Sequence, residues 1–358
     1  MRHALTLAAE GRGRVEPNPL VGAVLVDDAL NLLGEGFHAR YGGPHAEVIA
    51  MAQAGPAARG ATLFVTLEPC AHFGKTPPCA PAVVHAGIRR VFAAVEDPFP
   101  NVSGRGLQIL RDAGVEVEVG LLAAEARRIL APFLKLTTTG LPYVHAKWAM
   151  TIDGRIATGA GDSQWISGER SRGITHALRG RMDAIVVGIE TAIADDPLLT
   201  ARPTGPRTAV RIVFDSQARL SLDSKLVKSA SAIPVIVVAS NEASPDRVAA
   251  LRAAGVDVLE VAGSTAADSV REALAEFGRR RMTNLFVEGG GRLLGSFFDA
   301  NLVDEIHAFI GPKVIGSAAA LPPVAGVGVD VLAQATEFQL ERLEQIGADA
   351  YLRYARSL

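Results

Sequence analysis

The sequence predicts an α/β protein built as two domains, and three observations carry that expectation. Short apolar runs of strand length alternate with helical stretches along most of the chain. A length of 358 residues suits roughly two domains. A turn-rich break at residues 137–142 (TTTGLP) interrupts the alternation, which then restarts. One domain is therefore expected over residues 1–140 and a second over residues 141–358.

Taken in order, residues 4–9 place Leu5, Ala8 and Ala9 at helical spacing and predict a short amphipathic helix. VGAVLV (21–26) predicts a buried strand, with residues 34–38 as its neighbour. Residues 45–54 read as a helix stopped by Gly55-Pro56, and residues 61–67 (ATLFVTL) as the next strand. A helix at 80–86 is closed by Gly87, a strand follows at 91–95, and a helix at 106–113 is stopped by Gly114. VEVEVG and a helical stretch at 123–135 complete this half. Beyond the break, YVHAKWAM, AIVVGI, VRIVF, IPVIVVA, VDVLEVA, NLFVEG and EIHAFIG supply further strands. Alternation of this kind implies layered α/β structure with largely parallel pairing.

Composition narrows the function classes. With 36 Lys+Arg against 38 Asp+Glu, the chain has no overall basic character of the sort nucleic-acid binders use. No run approaches the ~20 apolar residues that span a bilayer, and residues 4–9 are too short for a signal-peptide core. Two cysteines, Cys70 and Cys79, are too few for a disulfide framework. A cytoplasmic protein with free thiols, no membrane partner and no nucleic-acid partner is expected.

Those cysteines fall within one short stretch, so their purpose is local. Pro44-His45-Ala46-Glu47 precedes Glu68-Pro69-Cys70 and then Cys79. One histidine and two cysteines are the donor set that suits zinc with an open fourth position. A metal held this way lowers the pKa of bound water towards ~7. Glu47, two residues past His45 at a helix start, is placed to move protons without being a ligand. Zinc nucleobase deaminases use this arrangement, with H-x-E followed by P-C-x-x-C.

Here the second cysteine follows the first by nine positions, through AHFGKTPP. With that insert, PNPLVGAVLV, GEGFHARYGGPHAEVIA, ATLFVTLEPCAHFGKTPPC and DPFPNVSGRG resemble the deaminase half of the bifunctional riboflavin-biosynthesis deaminase/reductase family. The resemblance covers most of residues 4–120 and implies a cytidine-deaminase-like α/β/α domain holding one Zn2+ per chain. It implies substrate contacts at Asn18, His72, Lys75 and Asp97. Read alone, Asn18 is equally a turn residue, His72 a competing ligand and Lys75 a solvated charge. Phe99 stands where the family commonly has Asn in D-P-N-P, and Asn101 is nearby but out of register.

In the second half, HAKWAMTIDGRIATGAGDSQWIS (145–167), RMDAIVVGIETAIADDPLLTAR (181–202) and VRIVFDS (210–216) resemble the reductase half of the same family. That half is similar in fold to dihydrofolate reductase. VEGGGRLLGSFF (287–298) ends a strand in a Gly-rich turn and opens a helix, whose N-terminus favours a phosphate. It is not a Rossmann fingerprint, because the third Gly would fall at Leu294 and Gly295 is one place late. The resemblance implies NADPH against Ala149, Trp165, Thr191, Asp195, Ser216, Gly290, Gly291, Arg292, Leu293, Leu294, Gly295 and Ser296. It implies substrate against Ser163, Arg179, Leu199, Arg202 and Glu288, with Asp195 assisting hydride transfer. The guanidinium forks of Arg179 and Arg202 suit a ribose phosphate, although either arginine, read alone, is also a surface residue. Asp195-Asp196-Pro197 is also readable as a capped turn, and Trp165 as a core aromatic.

The implied activities are hydrolytic deamination of a small phosphorylated diaminopyrimidinone and NADPH-dependent reduction of its ribosyl group to ribityl, by a homo-oligomer. The alternatives are a nucleoside or tRNA deaminase with an accessory domain, a chain with one active half, and a non-catalytic binding or regulatory subunit.

Overall fold

The computed structural model describes residues 1–99 and 103–356, so Asn101 lies outside the described residues. The chain divides into two compact units, Met1–Gly140 and one beginning at Leu141.

The first unit contains α1 (Arg2–Ala9), β1 (Gly22–Val26), β2 (Leu32–Phe37), α2 (Ala46–Ala54), β3 (Thr62–Val65), α3 (Cys79–His85), β4 (Arg90–Ala93), α4 (Arg105–Asp112), β5 (Glu116–Val119) and α5 (Ala123–Thr139). Its sheet runs β2-β1-β3-β4-β5. Strands β3, β4 and β5 are parallel, but β1 is antiparallel to both β2 and β3, which corrects the expectation of largely parallel pairing here. The cause is the short connection between β1 and β2, which leaves no room for a crossover helix.

One sheet face packs Ala23, Leu25, Leu63 and Val91 against Ala46 and Ala50 of α2, Val83 of α3 and Leu107 and Leu110 of α4. Helices α1 and α5 cover the other face through Ala4, Leu5, Ala126 and Leu130, giving three layers. Helix α5 runs four residues past the expected end at Lys135. The hydroxyls of Thr138 and Thr139 donate back to the carbonyls of Leu134 and Lys135 at 2.8 and 2.7 Å, so these β-branched residues stay helical. Gly140 then closes the helix at φ 72°.

The second unit contains β6 (Tyr143–Thr151), α6 (Glu169–Arg179), β7 (Ala184–Gly188), α7 (Ile189–Asp195), β8 (Val210–Phe214), α8 (Lys225–Lys228), β9 (Val235–Ser240), α9 (Pro245–Ala253), β10 (Asp257–Val261), α10 (Ala266–Arg279), β11 (Asn284–Gly289), α11 (Gly291–Asp299), β12 (Glu305–Gly311), β13 (Gln339–Ile346) and β14 (Asp349–Ala355). The sheet runs β10-β9-β8-β7-β11-β6-β12-β14-β13, parallel as far as β12. The antiparallel β13–β14 hairpin closes one edge.

Alternate residues of these strands feed two cores. Val186, Ile212, Leu285 and Val287 meet Leu274 and Phe277 of α10 and Leu294 and Phe297 of α11. Ile185, Val187, Val213 and Val237 meet Ala192 of α7, Leu226 of α8 and Leu251 of α9. The helices that follow neighbouring strands β7 and β11 thus leave to opposite faces. That divergence marks a topological switch point at the carboxyl ends of the strands, the place where open α/β sheets bind ligands.

Candidate functional site

In the first unit, the N-termini of α2 and α3 bring the cluster together. His45 is the N-cap of α2, Cys79 is the first residue of α3, and Cys70 lies on the segment that follows β3. His45 Nδ1 lies 3.2 Å from Cys79 Sγ and 3.5 Å from Cys70 Sγ, and the three donor atoms all fall within 4.8 Å of one another. The Cys79 amide donates to Cys70 Sγ at 3.3 Å. The hydrogen bond from Cys79 pulls the Cys70 thiol down to about 4, with His45 adding to it, while Cys79 itself is pushed up. Thr76 Oγ1 holds the outer nitrogen of His45 at 3.2 Å, the kind of second contact that fixes a ligand ring.

Glu47 lies in the first turn of α2, is buried, and its Oε2 has no hydrogen-bond partner among the described residues. Burial pushes its carboxyl up to about 7. Two soft thiols, one imidazole and an orphaned carboxylate oxygen beside them fit a zinc ion with an open position and a proton carrier.

Around this cluster, Asn18 Nδ2 lies 3.3 Å from His38 Nε2, and His38 Nδ1 lies 3.0 Å from the Pro44 carbonyl. The rings of His38 and His45 meet edge to face at 5.3 Å. His38, absent from the residues expected above, therefore links Asn18 to the candidate ligand; its signal was the close spacing of two histidines in FHARYGGPH. Lys75 is exposed with its ammonium 4.0 Å over the Tyr41 ring, and His72 is exposed with its ring 6.4 Å from that of Phe99. Asp97 is buried, and burial pushes its carboxyl up to about 6. It accepts from the Phe99 amide at 2.9 Å.

Glu68 was also missed. Its Oε2 accepts from the amides of Asp97 and Gly104 at 3.1 and 3.0 Å, and its Oε1 from Gly106 and Leu107 at 2.8 and 3.3 Å. One carboxylate thereby ties the Asp97 turn to the start of α4, where helix amides favour negative charge.

In the second unit, Glu288 sits near the end of β11 inside a cage of cations. Arg179 grips it bidentately at 2.5 and 2.8 Å, and Lys147 Nζ is 4.0 Å away. Burial alone would raise the Glu288 carboxyl, but Arg179 and Lys147 outweigh it and hold it below the ordinary value. Burial lowers the Lys147 ammonium. Lys147, absent from the contact residues expected above, lies beside Glu288; its signal was one lysine in the middle of an apolar strand. Arg179 was expected to offer its fork to a phosphate, whereas the structure commits that fork to Glu288, with one further bond to the Thr200 carbonyl at 3.2 Å. Arg202 and Arg179 both act on His176, whose Nδ1 lies 3.2 Å from the Thr200 carbonyl, so positive charge gathers there. Leu199 is buried beside it at φ 53°.

The Gly-rich turn divides its expected contacts. Gly290 has φ 83°, and a Cβ there would meet Thr191 Oγ1 at 3.4 Å, so Gly290 and Thr191 stand side by side at the switch point. A Cβ at Gly291 would meet the Pro322 carbonyl at 2.5 Å, and one at Gly295 the Gly326 amide at 2.3 Å; both glycines serve close packing of α11 against that loop. Leu293 and Leu294 point into the core, so only their backbone is free to face a cofactor. Arg292 is exposed and Ser296 half-buried, with its hydroxyl donating to the Arg292 carbonyl. Trp165 is 59% exposed with the Arg172 guanidinium 4.4 Å over its ring. Ser163 is half-buried nearby in sequence, Ala149 lies on β6 opposite Phe309, and Ser216 follows β8 exposed. Asp195 ends α7 exposed, while Asp196 accepts from the Lys225 amide. A Gly turn open enough for close approach, a helix N-terminus and an exposed indole fit a dinucleotide.

A zinc-type cluster on one α/β/α unit, with a glycine turn and an exposed indole on a second, mostly parallel α/β unit, marks a two-headed enzyme, a deaminase joined to a reductase. Residues 1–95 match the cytidine and deoxycytidylate deaminase zinc-binding region, and residues 142–352 match the RibD C-terminal domain. The riboflavin biosynthesis protein RibD of Actinobacillus pleuropneumoniae is 40% identical over 354 residues, covering 99% of this chain and 94% of that one. That of Escherichia coli K12 is 37% identical, covering 98% and 97%. The crystal structure of a diaminohydroxyphosphoribosylaminopyrimidine deaminase/5-amino-6-(5-phosphoribosylamino)uracil reductase from Thermotoga maritima superposes with a TM-score of 0.85 at 34% identity, covering 100% and 97%. The chain belongs to the RibD family and is a bifunctional enzyme of riboflavin biosynthesis. Among the described residues, no helix is long and apolar enough to cross a membrane.

Proposed function

We propose that residues 1–140 deaminate 2,5-diamino-6-(5-phosphoribosylamino)pyrimidin-4-one and that residues 141–358 reduce the ribosyl group of the product to ribityl. The observation that carries the first step is the convergence of His45, Cys70 and Cys79 beside the Glu47 carboxylate, whose Oε2 has no partner among the described residues. Zinc, when bound by those three residues, supplies Lewis-acid activation of the attacking water. Glu47 takes the proton from that water and returns it to the leaving amine, a transfer that suits a carboxyl pushed up to about 7 by burial. Asn18, steadied by His38, orients the pyrimidine, and Asp97, His72 and Lys75 hold its outer groups.

In the second step NADPH, when bound, would supply the hydride for the sugar carbon, and a proton would go to the ring oxygen as the ribose opens. The chain's own task is orientation. Gly290, Arg292, Ser296 and Thr191 line the phosphate side of the switch point, and Trp165, Ala149, Asp195 and Ser216 complete the cofactor wall. Lys147 and Glu288 offer a donor and an acceptor to the sugar, while Arg202, beside His176, takes the phosphate with help from Ser163. Leu199 supplies the apolar backing. Free thiols support a cytoplasmic location, and exposed Leu340 and Leu343 on the end strand of the sheet support a homo-oligomer.

The test is mass-resolved turnover of the phosphorylated diaminopyrimidinone. Replacement of an amino group by oxygen without NADPH, then gain of two hydrogens only with it, is expected. Hydrogen gain before amino loss, or no amino loss at all, overturns the assignment.

A further inference from the structure

We propose that His145, Glu305 and His307 form a second metal site, a structural one for a divalent ion of the zinc class, at the N-terminal edge of the reductase sheet. Strands β6 and β12 are parallel neighbours, and their register sets Glu305 opposite His145 and His307 opposite Lys147. The three side chains therefore share one sheet face. His307 Nε2 is 3.0 Å from Glu305 Oε1, His145 Nδ1 is 3.7 Å from the same oxygen, and the two nitrogens are 3.5 Å apart. Donors held about 2.0–2.2 Å from a tetrahedral ion stand roughly 3.3–3.6 Å from one another, so two edges of the triangle, 3.5 and 3.7 Å, come near those of such a site, and the 3.0 Å edge needs to open by a few tenths of an ångström to admit the ion. The cysteine cluster of the first unit shows similar spacing, 3.2 and 3.5 Å.

The outer shell is also built. His145 Nε2 faces Asn284 Oδ1 at 3.2 Å, and His307 Nδ1 faces the Tyr351 hydroxyl at 2.8 Å. Contacts of this type anchor the far nitrogen of a ligating imidazole and turn the near lone pair toward the ion. Both histidines are buried. Two neutral imidazoles and a carboxylate suit zinc and its neighbours better than calcium or magnesium. The site shares a sheet face with Lys147, which follows His145 by two residues on β6, while Glu288 and the Gly-rich turn stand further toward the carboxyl end of β11. Its place on β6, two residues before Lys147, makes it a clamp between the strand that bears Lys147 and its neighbour.

The test is zinc content of the full chain after chelation and titration with Zn2+ alone. Two ions per chain are expected. A Cys70→Ser, Cys79→Ser double variant should keep one, and His145→Ala should keep only the cysteine-bound one. A single ion lost entirely with the cysteines, or a second ion that survives both His145→Ala and Glu305→Gln, overturns the site and leaves a hydrogen-bonded His–Glu network. Should His145→Ala not fold, Co2+ added to the cysteine double variant decides. Ligand-field bands without thiolate charge transfer support the site, and their absence overturns it.

Discussion

Replacing Glu68 by Gln tests whether one buried carboxylate organises the deaminase loops. Glu68 is 3% exposed and accepts from four backbone amides, two at each oxygen. Glutamine keeps one oxygen and turns an NH2 group toward two amide donors that it cannot satisfy. Each lost charge-assisted bond is worth about 1.5–3 kcal/mol net, so the change costs about 3–6 kcal/mol before the loop relaxes. Rotation of the Asp97 turn toward water brings the expected loss to the lower end, about 3 kcal/mol. At roughly 3 °C per kcal/mol for a unit of this size, the melting temperature falls by about 10 °C. Calorimetry of the zinc-loaded chain would read the transition, and hydrogen exchange would show lost protection at Gly104, Gly106 and Leu107. NADPH-dependent reduction of already deaminated substrate should continue, which separates the effect from global unfolding. A melting temperature within about 2 °C of the parent, with those amides still protected, would refute the reasoning.

Three further outcomes are expected. Glu47→Gln should lower deamination by about 10²–10⁴-fold while metal analysis shows zinc retained at the cysteine cluster; activity near the parent rate would pass the proton role to another group. Glu288→Gln leaves Arg179 and Lys147 uncompensated in a buried site, so the second unit should lose about 3–5 kcal/mol in urea melts and NADPH-dependent reduction should stop while deamination persists. Asp97 titrates at about 6 because burial raises it, above the ~4 of an unfolded chain, so the folded state keeps that proton longer. Its contribution is present below pH ~4 and disappears as pH rises through about 6. Asp97→Asn should therefore gain in urea midpoint relative to the parent between pH 4.5 and 7, and parallel curves would rule out a buried, titrating Asp97.

Much of the architecture was written in local patterns. The strands of the parallel sheet are continuous apolar runs because both faces are covered, and Gly or Pro marks most helix ends. The candidate zinc donors were readable for a different reason: cysteine is scarce in this chain, and its chemistry is narrow. What stayed hidden depended on partners far apart in sequence. Glu68 looks like any glutamate until Gly104 and Gly106 fold onto it. Arg179 looks like a phosphate ligand until Glu288, more than a hundred positions on, takes its fork. The β13–β14 hairpin escaped because the exposed edge strand carries Glu341, Arg342 and Glu344 with Leu340 and Leu343 toward solvent, so no alternation of buried residues announces it. The leucines and acidic residues of that stretch also belong to the helical vocabulary.

The place of β11 has a consequence for how the enzyme is made. It is inserted between β6 and β7, both synthesised long before it; Tyr143 waits about 140 positions for its partner Asn284. Until residues 284–289 emerge from the ribosome, β6 and β7 have no strand between them, and the sheet exists as separate fragments. The same late strand brings Glu288 and leads into the glycine turn. A growing chain thus cannot assemble a cofactor site early and wait for the rest, and dinucleotide capture becomes a signal that the reductase half has finished folding.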